Sequence, residues 1–177
     1  IIVDKIKLNR SNKFSINISE LDLQFSSDNS SKIIERSFEN IHNEKDSSDN
    51  KLLQIAKENI FYRDYEKAKK SLIKLIEKDQ FNLEAIYYLS ELYYRSGNFD
   101  KSIDVLKIGL NVDTYNSSLN YILGIANKEL GNFLNSKEAL GWAARSIKYR
   151  SNAYSQIADI FLIEKNYKKA LEYAEKS

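Results

Sequence analysis

The sequence contains no cysteine, no proline and no methionine, and it spends only five glycines, one histidine and one tryptophan on 177 residues. Without cysteine there is no disulfide framework, no zinc–cysteine site and no thiol chemistry. The lone histidine, His42, sits at the edge of a polar stretch with only Glu44 and Asp46 nearby, so it reads as a solvated residue and not as a metal ligand. With one histidine, a Ser/His/acid triad has no ordered base to build on. No glycine-rich phosphate loop is present either. No apolar run approaches the roughly 18 residues that cross a bilayer, and there is no signal-peptide core. Neither sign of charge dominates: 27 basic residues face 25 acidic ones, which leaves no long-range field for nucleic acid or anionic lipid.

What is present is a folded composition, 42% apolar and 29% charged. The organisation shows in a phrase that recurs. Residues 96–106 read SGNFDKSIDVL and residues 130–140 read LGNFLNSKEAL, so Gly97 and Gly131 open near-copies 34 residues apart. Stepping by the same 34 residues gives Tyr65, Phe99, Phe133 and Tyr167, all aromatic. Ile55, Leu89, Leu123 and Ile157 are all branched aliphatics. Two columns are small, Ala68/Ser102/Ser136/Ala170 and Ala56/Ser90/Gly124/Ala158, and a fifth runs Leu72, Leu106, Leu140, Ala174. Within one period, Ile86, Leu89 and Tyr93 and then Ile103, Leu106 and Leu110 keep helical spacing. Between the two runs, Gly97 is expected to take a left-handed conformation and stop the first helix, and Asp100 to cap the second. Each period is thus a helix–turn–helix hairpin, with the small columns permitting close approach and the aromatic column wedging the turn against the next hairpin.

A 34-residue helical hairpin of this pattern resembles the tetratricopeptide repeat. The resemblance covers residues 49–177, as repeats 49–82, 83–116 and 117–150 and an incomplete 151–177. The Leu-Gly pair appears as Leu123-Gly124 and the later small-to-aliphatic element as Ala68 and Leu72. The usual proline is replaced by Gln80, Thr114 and Lys148, and the first-helix tryptophan by Leu52, Ile86, Asn120 and Tyr154. The resemblance implies an all-α solenoid wound as a right-handed superhelix.

Residues 1–48 follow another rule. IIVDKIKL and FSINI alternate with strand period, and alternation resumes in the opposite phase at Leu21, Leu23 and Phe25, which reads as a small sheet with a bulge or corner. Ile34, Phe38 and Ile41 then share one face of a short helix, followed by a polar linker. The expected architecture is therefore a TPR array with a small β-containing N-terminal extension.

The resemblance also implies where partners bind, since first-helix positions line the concave face of such arrays. Carried onto this sequence, that face comprises Lys57 and Phe61, then Tyr87, Glu91, Tyr94 and Arg95, then Tyr121, Ile125 and Lys128, and finally Asp159. Tyrosine and arginine are the residue types that most often anchor interfaces. Tyr88 and Tyr93 are expected to pack between repeats, as is Trp142. The carboxylate-clamp residues of chaperone-binding TPR domains find no match in either frame, since Leu53, Lys57, Tyr88, Ser118 and Ile122 occupy them in one. Glu84/Glu91 and Asp100/Asp104 read as ordinary helix charges, and no catalytic, cofactor or metal site is expected.

These readings lead to a non-enzymatic adaptor that holds a partner protein, with an accessory subunit of a transporter or enzyme as the alternative. Nucleic-acid binding is disfavoured because Glu84, Glu91 and Glu129 interrupt any basic track beside the tyrosines. The chain begins at Ile1 and stops at Ser177 inside a second helix. A fragment or processed form is expected, with a membrane reached only through an anchor outside this sequence and a lean towards the envelope over the cytoplasm. Leu171 and Ala174 then face a partner, further chain or a second copy.

Overall fold

The structure, a computed structural model, describes residues 15–18, 23–26 and 48–177. The chain divides into two compact units, Ile1–Glu39 and Asn40–Ser177. In the first unit, strands β1 (Ser15–Ile18) and β2 (Leu23–Ser26) pair antiparallel, with Ile16 opposite Phe25 and Ile18 opposite Leu23. The pairing runs without interruption from Ser15↔Ser26 to Ile18↔Leu23, so neither strand carries an extra residue. The change of phase read as a bulge is instead the offset that a four-residue connection imposes on a hairpin. The strand expected in IIVDKIKL, the short helix from Ile34 to Ile41, His42 and the linker up to residue 47 lie outside the described residues; the last three residues expected in that linker, Ser48 to Asn50, instead begin a helix.

The second unit is a run of eight described helices: α1 (Ser48–Phe61), α2 (Tyr65–Lys78), α3 (Leu83–Arg95), α4 (Phe99–Val112), α5 (Ser117–Glu129), α6 (Phe133–Ala143), α7 (Ile147–Ile163) and α8 (Tyr167–Glu175). They pack as four hairpins, α1 on α2 through α7 on α8. First helices continue onto first helices, α3 on α5 and α5 on α7, and each second helix packs on the first helix of the next hairpin. None of the described helices is long and apolar enough to cross a membrane.

The small columns do what their size allows. Gly124 lies so close to α6 that a Cβ there would come within 2.5 Å of Leu140. In the neighbouring column Ser136 Oγ donates to the Gly124 carbonyl oxygen at 2.6 Å, and one repeat earlier Ser102 Oγ donates to the Ser90 carbonyl oxygen at 2.9 Å. Both serines are fully buried, and the bond lets a polar side chain sit at the crossing of two helices without an unmet donor.

The turn inside each hairpin also repeats. Gly97 and Gly131 have φ of +74° and +76°, and the residues at the same place in the outer hairpins, Arg63 and Lys165, reach φ of 63° and 58°. The left-handed step is therefore a property of the turn, which glycine fills easily and other residues fill at a cost. Asp100, expected to cap α4, lies in its first turn; the capping position belongs to Asn98. Phe99, expected to wedge against the next hairpin, packs back on Tyr94 of its own, at 5.6 Å between ring centroids.

Two of the three connections between hairpins are fastened by aspartate where the repeat would carry proline beside it. Asp79 Oδ1 accepts from the Phe81 amide at 3.0 Å, and Asp113 Oδ1 from the Tyr115 amide at 3.2 Å. Such a turn competes with helical hydrogen bonding and ends α2 and α4 at equivalent places. The next equivalent position is Ile147, which has no such side chain. There α6 stops early, at Ala143, and α7 begins at Ile147, within the segment read as the end of the third repeat.

Candidate functional site

The first helices of the last three hairpins bound an open cleft of about 460 Å³. Tyr87, Tyr88 and Glu91 come from α3, Ser118 from α5, and Lys148 and Tyr149 from the first turn of α7. The early start of α7 matters here, because it delivers Tyr149 to the Tyr121 ring in a stacked pair with centroids 5.3 Å apart. Tyr87 and Tyr88 meet edge to face at 5.3 Å.

The carboxylates around the cleft are paired, both across helices and along one. Lys57 on α1 reaches Glu84 on α3 at 2.6 Å and lies 5.6 Å from the Tyr88 ring centre. Arg95 holds Glu91 at 2.6 Å along α3. Lys128 on α5 donates to Gln156 Oε1 at 2.7 Å and Asp159 Oδ2 at 3.1 Å, both on α7. Burial, helped by the Glu91 carboxylate, pushes the Tyr87 hydroxyl up to about 12. Burial also raises Tyr94, with Glu129 adding to it, and Tyr121, with Tyr149 adding to it. At neutral pH these hydroxyls are hydrogen-bond donors as well as acceptors.

Of the residues expected on this face, Tyr87 and Glu91 line the cleft itself, and Tyr121 adjoins it through Tyr149. Lys57 and Arg95 neutralise its carboxylates. Tyr94 is half-buried against the core and against Phe99. Lys128 and Asp159 form a bridge between α5 and α7. Ile125 packs on the buried cluster of the last two hairpins, and Phe61 stands at the end of α1, edge-on to Tyr62. Tyr149, Lys148 and Ser118 were not expected there. Tyr149 and Lys148 fall within the span assigned to a second helix, and the signal that could have placed them is the lack of aspartate at position 147. Tyr88, expected only to pack, both packs on the core and lines the cleft.

Two further open clefts are lined by described residues of the helical unit. One, of about 350 Å³, lies between α4 and α6 and includes Trp142. The other, of about 330 Å³, lies along one face of α7 and α8, with Leu162, Tyr167 and Leu171 among its apolar residues. It is the face that, in each earlier hairpin, receives the next first helix.

These features define a class: an all-helical array of 34-residue hairpins with the fold of the tetratricopeptide repeat. Arrays of this class stack their repeats to present extended binding surfaces. The comparison with solved structures gives the particular likeness. A crystal structure of MamA, itself a TPR-repeat protein, superposes with a TM-score of 0.69 at 22% identity, covering 73% of this chain and 75% of that one. A second MamA crystal structure gives a TM-score of 0.68 at 24% identity over 72% of this chain and 70% of that one. MamA 41-end from Desulfovibrio magneticus RS-1 gives 0.64 at 19%, over 75% of each. At these identities the likeness is one of fold. No protein-family model matches the sequence, and no curated protein matches it.

Proposed function

We propose that this chain is a non-enzymatic adaptor that binds a segment of a partner protein along its first helices, with Tyr87, Tyr88, Tyr121 and Tyr149 as the contact rings. The observation that carries the reading is the cleft itself: about 460 Å³, open to solvent, and bounded by side chains from three successive first helices. Half-buried tyrosines present large area with few rotatable bonds, and their protonated hydroxyls can bond to a peptide backbone. The same cleft also holds two carboxylates already matched by Lys57 and Arg95, which leaves Lys148, over the Tyr149 ring, as its one charge without an ion pair among the described residues. The fold of MamA, a scaffold of the same class, supports a protein-interaction role in general.

The reading is tested by affinity capture from the source cell, comparing the wild-type chain with a Tyr87→Ala/Tyr94→Ala/Arg95→Ala variant whose helical content is unchanged. A protein retained by the wild type and lost by the variant supports the adaptor. Equal capture by both contradicts binding at this face and directs attention to the α7/α8 cleft or to residues before α1.

A further inference from the structure

The groove between α4 and α6 exists because the third hairpin breaks its own pattern. Its floor is α5, where Asn120 and Asn127 lie two turns apart on one face with Leu123 between them. Stepping by 34 residues, the place of Asn120 is held by Leu52, Ile86 and Tyr154; the place of Asn127 is held by Tyr93 and Phe161 in the flanking hairpins and by Asn59 in the first. The apolar and aromatic residues fill the space; asparagine is too short to do so. The walls are Ile103 and Leu110 from α4 and Ala139 and Trp142 from α6. Trp142 is fixed on its other sides by the Tyr115 ring at 4.6 Å and the Arg145 guanidinium at 4.0 Å.

Both asparagines are almost fully buried, at 4% and 5% exposure. Asn120 Nδ2 donates to the Thr114 and Asn116 carbonyl oxygens at 2.9 and 3.0 Å, which fixes the amide's orientation, since only the nitrogen can serve two acceptors. Its Oδ1 then accepts nothing from the described residues and has access to the groove it lines. At the rim, Glu138 forms no ion pair among the described residues, while Lys107 opposite is engaged by Asp104. The groove is therefore apolar in its walls, with an unused acceptor at Asn120 Oδ1 on its floor and, at its rim, the Glu138 carboxylate and the exposed Asn135 amide.

We infer that this groove is a second binding site, for an extended peptide segment that inserts an apolar side chain beside Trp142, donates a backbone N–H to Asn120 Oδ1 and carries a lysine or arginine towards Glu138. A buried oxygen in an apolar groove is poorly served by water, and a ligand that supplies both the donor and the apolar body displaces that water favourably. Three other hairpins show that an apolar residue at this place is compatible with the fold, so the polar one is not demanded by packing. The site lies between second helices and shares none of the tyrosines of the first-helix cleft.

Trp142 is the chain's one tryptophan and forms a wall of the groove, so its emission reports occupancy directly. The probe is N-acetyl-Leu-Leu-Lys-amide, titrated against the full chain beside two ester analogues, each with one inter-residue amide N–H replaced by oxygen. A saturable shift of Trp142 emission, with one ester at least ten-fold weaker and Asn120→Ile lowering affinity by at least ten-fold, is the expected result. No saturable change at millimolar peptide, or equal binding of the amide and both esters, would overturn the inference. The ester comparison uses the wild-type protein, so it stands whether or not the variant folds.

Discussion

The Tyr121 ring stacks on Tyr149 with centroids 5.3 Å apart and planes 29° from parallel. This contact joins the third hairpin to the fourth on the first-helix side, and it is available only because α7 begins at Ile147. The geometry of the cleft thus follows a helix boundary, and that boundary falls where the aspartate of the earlier connections is missing. Replacing Ile147, which is largely exposed, by aspartate tests the link. Ile147→Asp is expected to delay the start of α7 and draw Tyr149 from Tyr121, seen as loss of their mutual ring-current shifts by NMR. Unchanged shifts would show that the turn is set elsewhere.

The left-handed turns make a backbone prediction. Nothing lies within 4 Å of a Cβ built on Gly97 or Gly131, so alanine there meets no obstacle except its own φ. Gly97→Ala and Gly131→Ala should each cost about 1–2 kcal/mol in urea unfolding. Gly141→Ala, equally unobstructed but without a positive φ and inside α6, should instead stabilise by about 0.5–1 kcal/mol.

The buried serines predict a graded series. Ser136→Ala removes the bond to the Gly124 carbonyl while leaving a side chain that fits, and should cost about 1 kcal/mol. Ser136→Val adds a methyl group at a close helix crossing and should cost more, about 1–3 kcal/mol. Equal losses for the two would indicate that the hydrogen bond, and not packing, governs the crossing.

Tyr87 predicts a change in stability at high pH. Its hydroxyl titrates near 12 in the folded chain and near the ordinary tyrosine value of 10 when unfolded. The folded state therefore binds more protons between those values, and stability falls as pH rises through that window. The contribution is complete below pH about 10 and is lost towards 12. Tyr87→Phe should flatten this part of the stability–pH curve, measured by denaturant midpoints. An unchanged curve would show that the hydroxyl is solvated in the folded chain.

How much of this was legible follows from which physical rule each feature obeys. The 34-residue columns revealed the hairpins because packing at helix crossings restricts size at fixed intervals, as Gly124 against Leu140 shows. The left-handed turn was visible at Gly97 and Gly131 and hidden at Arg63 and Lys165, where local backbone hydrogen bonds of the turn, Asp64 N–H to the Asn59 carbonyl and Asn166 N–H to the Phe161 carbonyl, accompany a positive φ in residues that do not advertise it. The β-hairpin was visible as alternation, while its phase change needed the register to be interpreted. On the candidate face, Tyr87 and Glu91 followed from the repeat frame. Tyr149 did not, because a fixed frame cannot anticipate a helix that starts four residues before residue 151. The ion pairs Lys57–Glu84 and Lys128–Asp159 were likewise beyond a reading of single positions, since each joins helices from different hairpins.

Lys128 offers a measure of that coupling. It is only 17% exposed and bridges α5 to Gln156 and Asp159, so a Lys128→Ala/Asp159→Ala double-mutant cycle should give a coupling of about 0.5–1 kcal/mol. Additive losses would mean that the pair does not tie the two hairpins.

The account's central claim, that a partner segment occupies the first-helix cleft, is tested most directly by site-specific photo-crosslinking in the source cell. Benzoylphenylalanine replaces Tyr149 in one variant and exposed Glu77 on α2 in another. The account predicts a discrete crosslinked protein from position 149, absent from position 77 and lost when Ser118→Arg fills the cleft. The same adduct from both positions, or one from position 149 that survives Ser118→Arg, would contradict it.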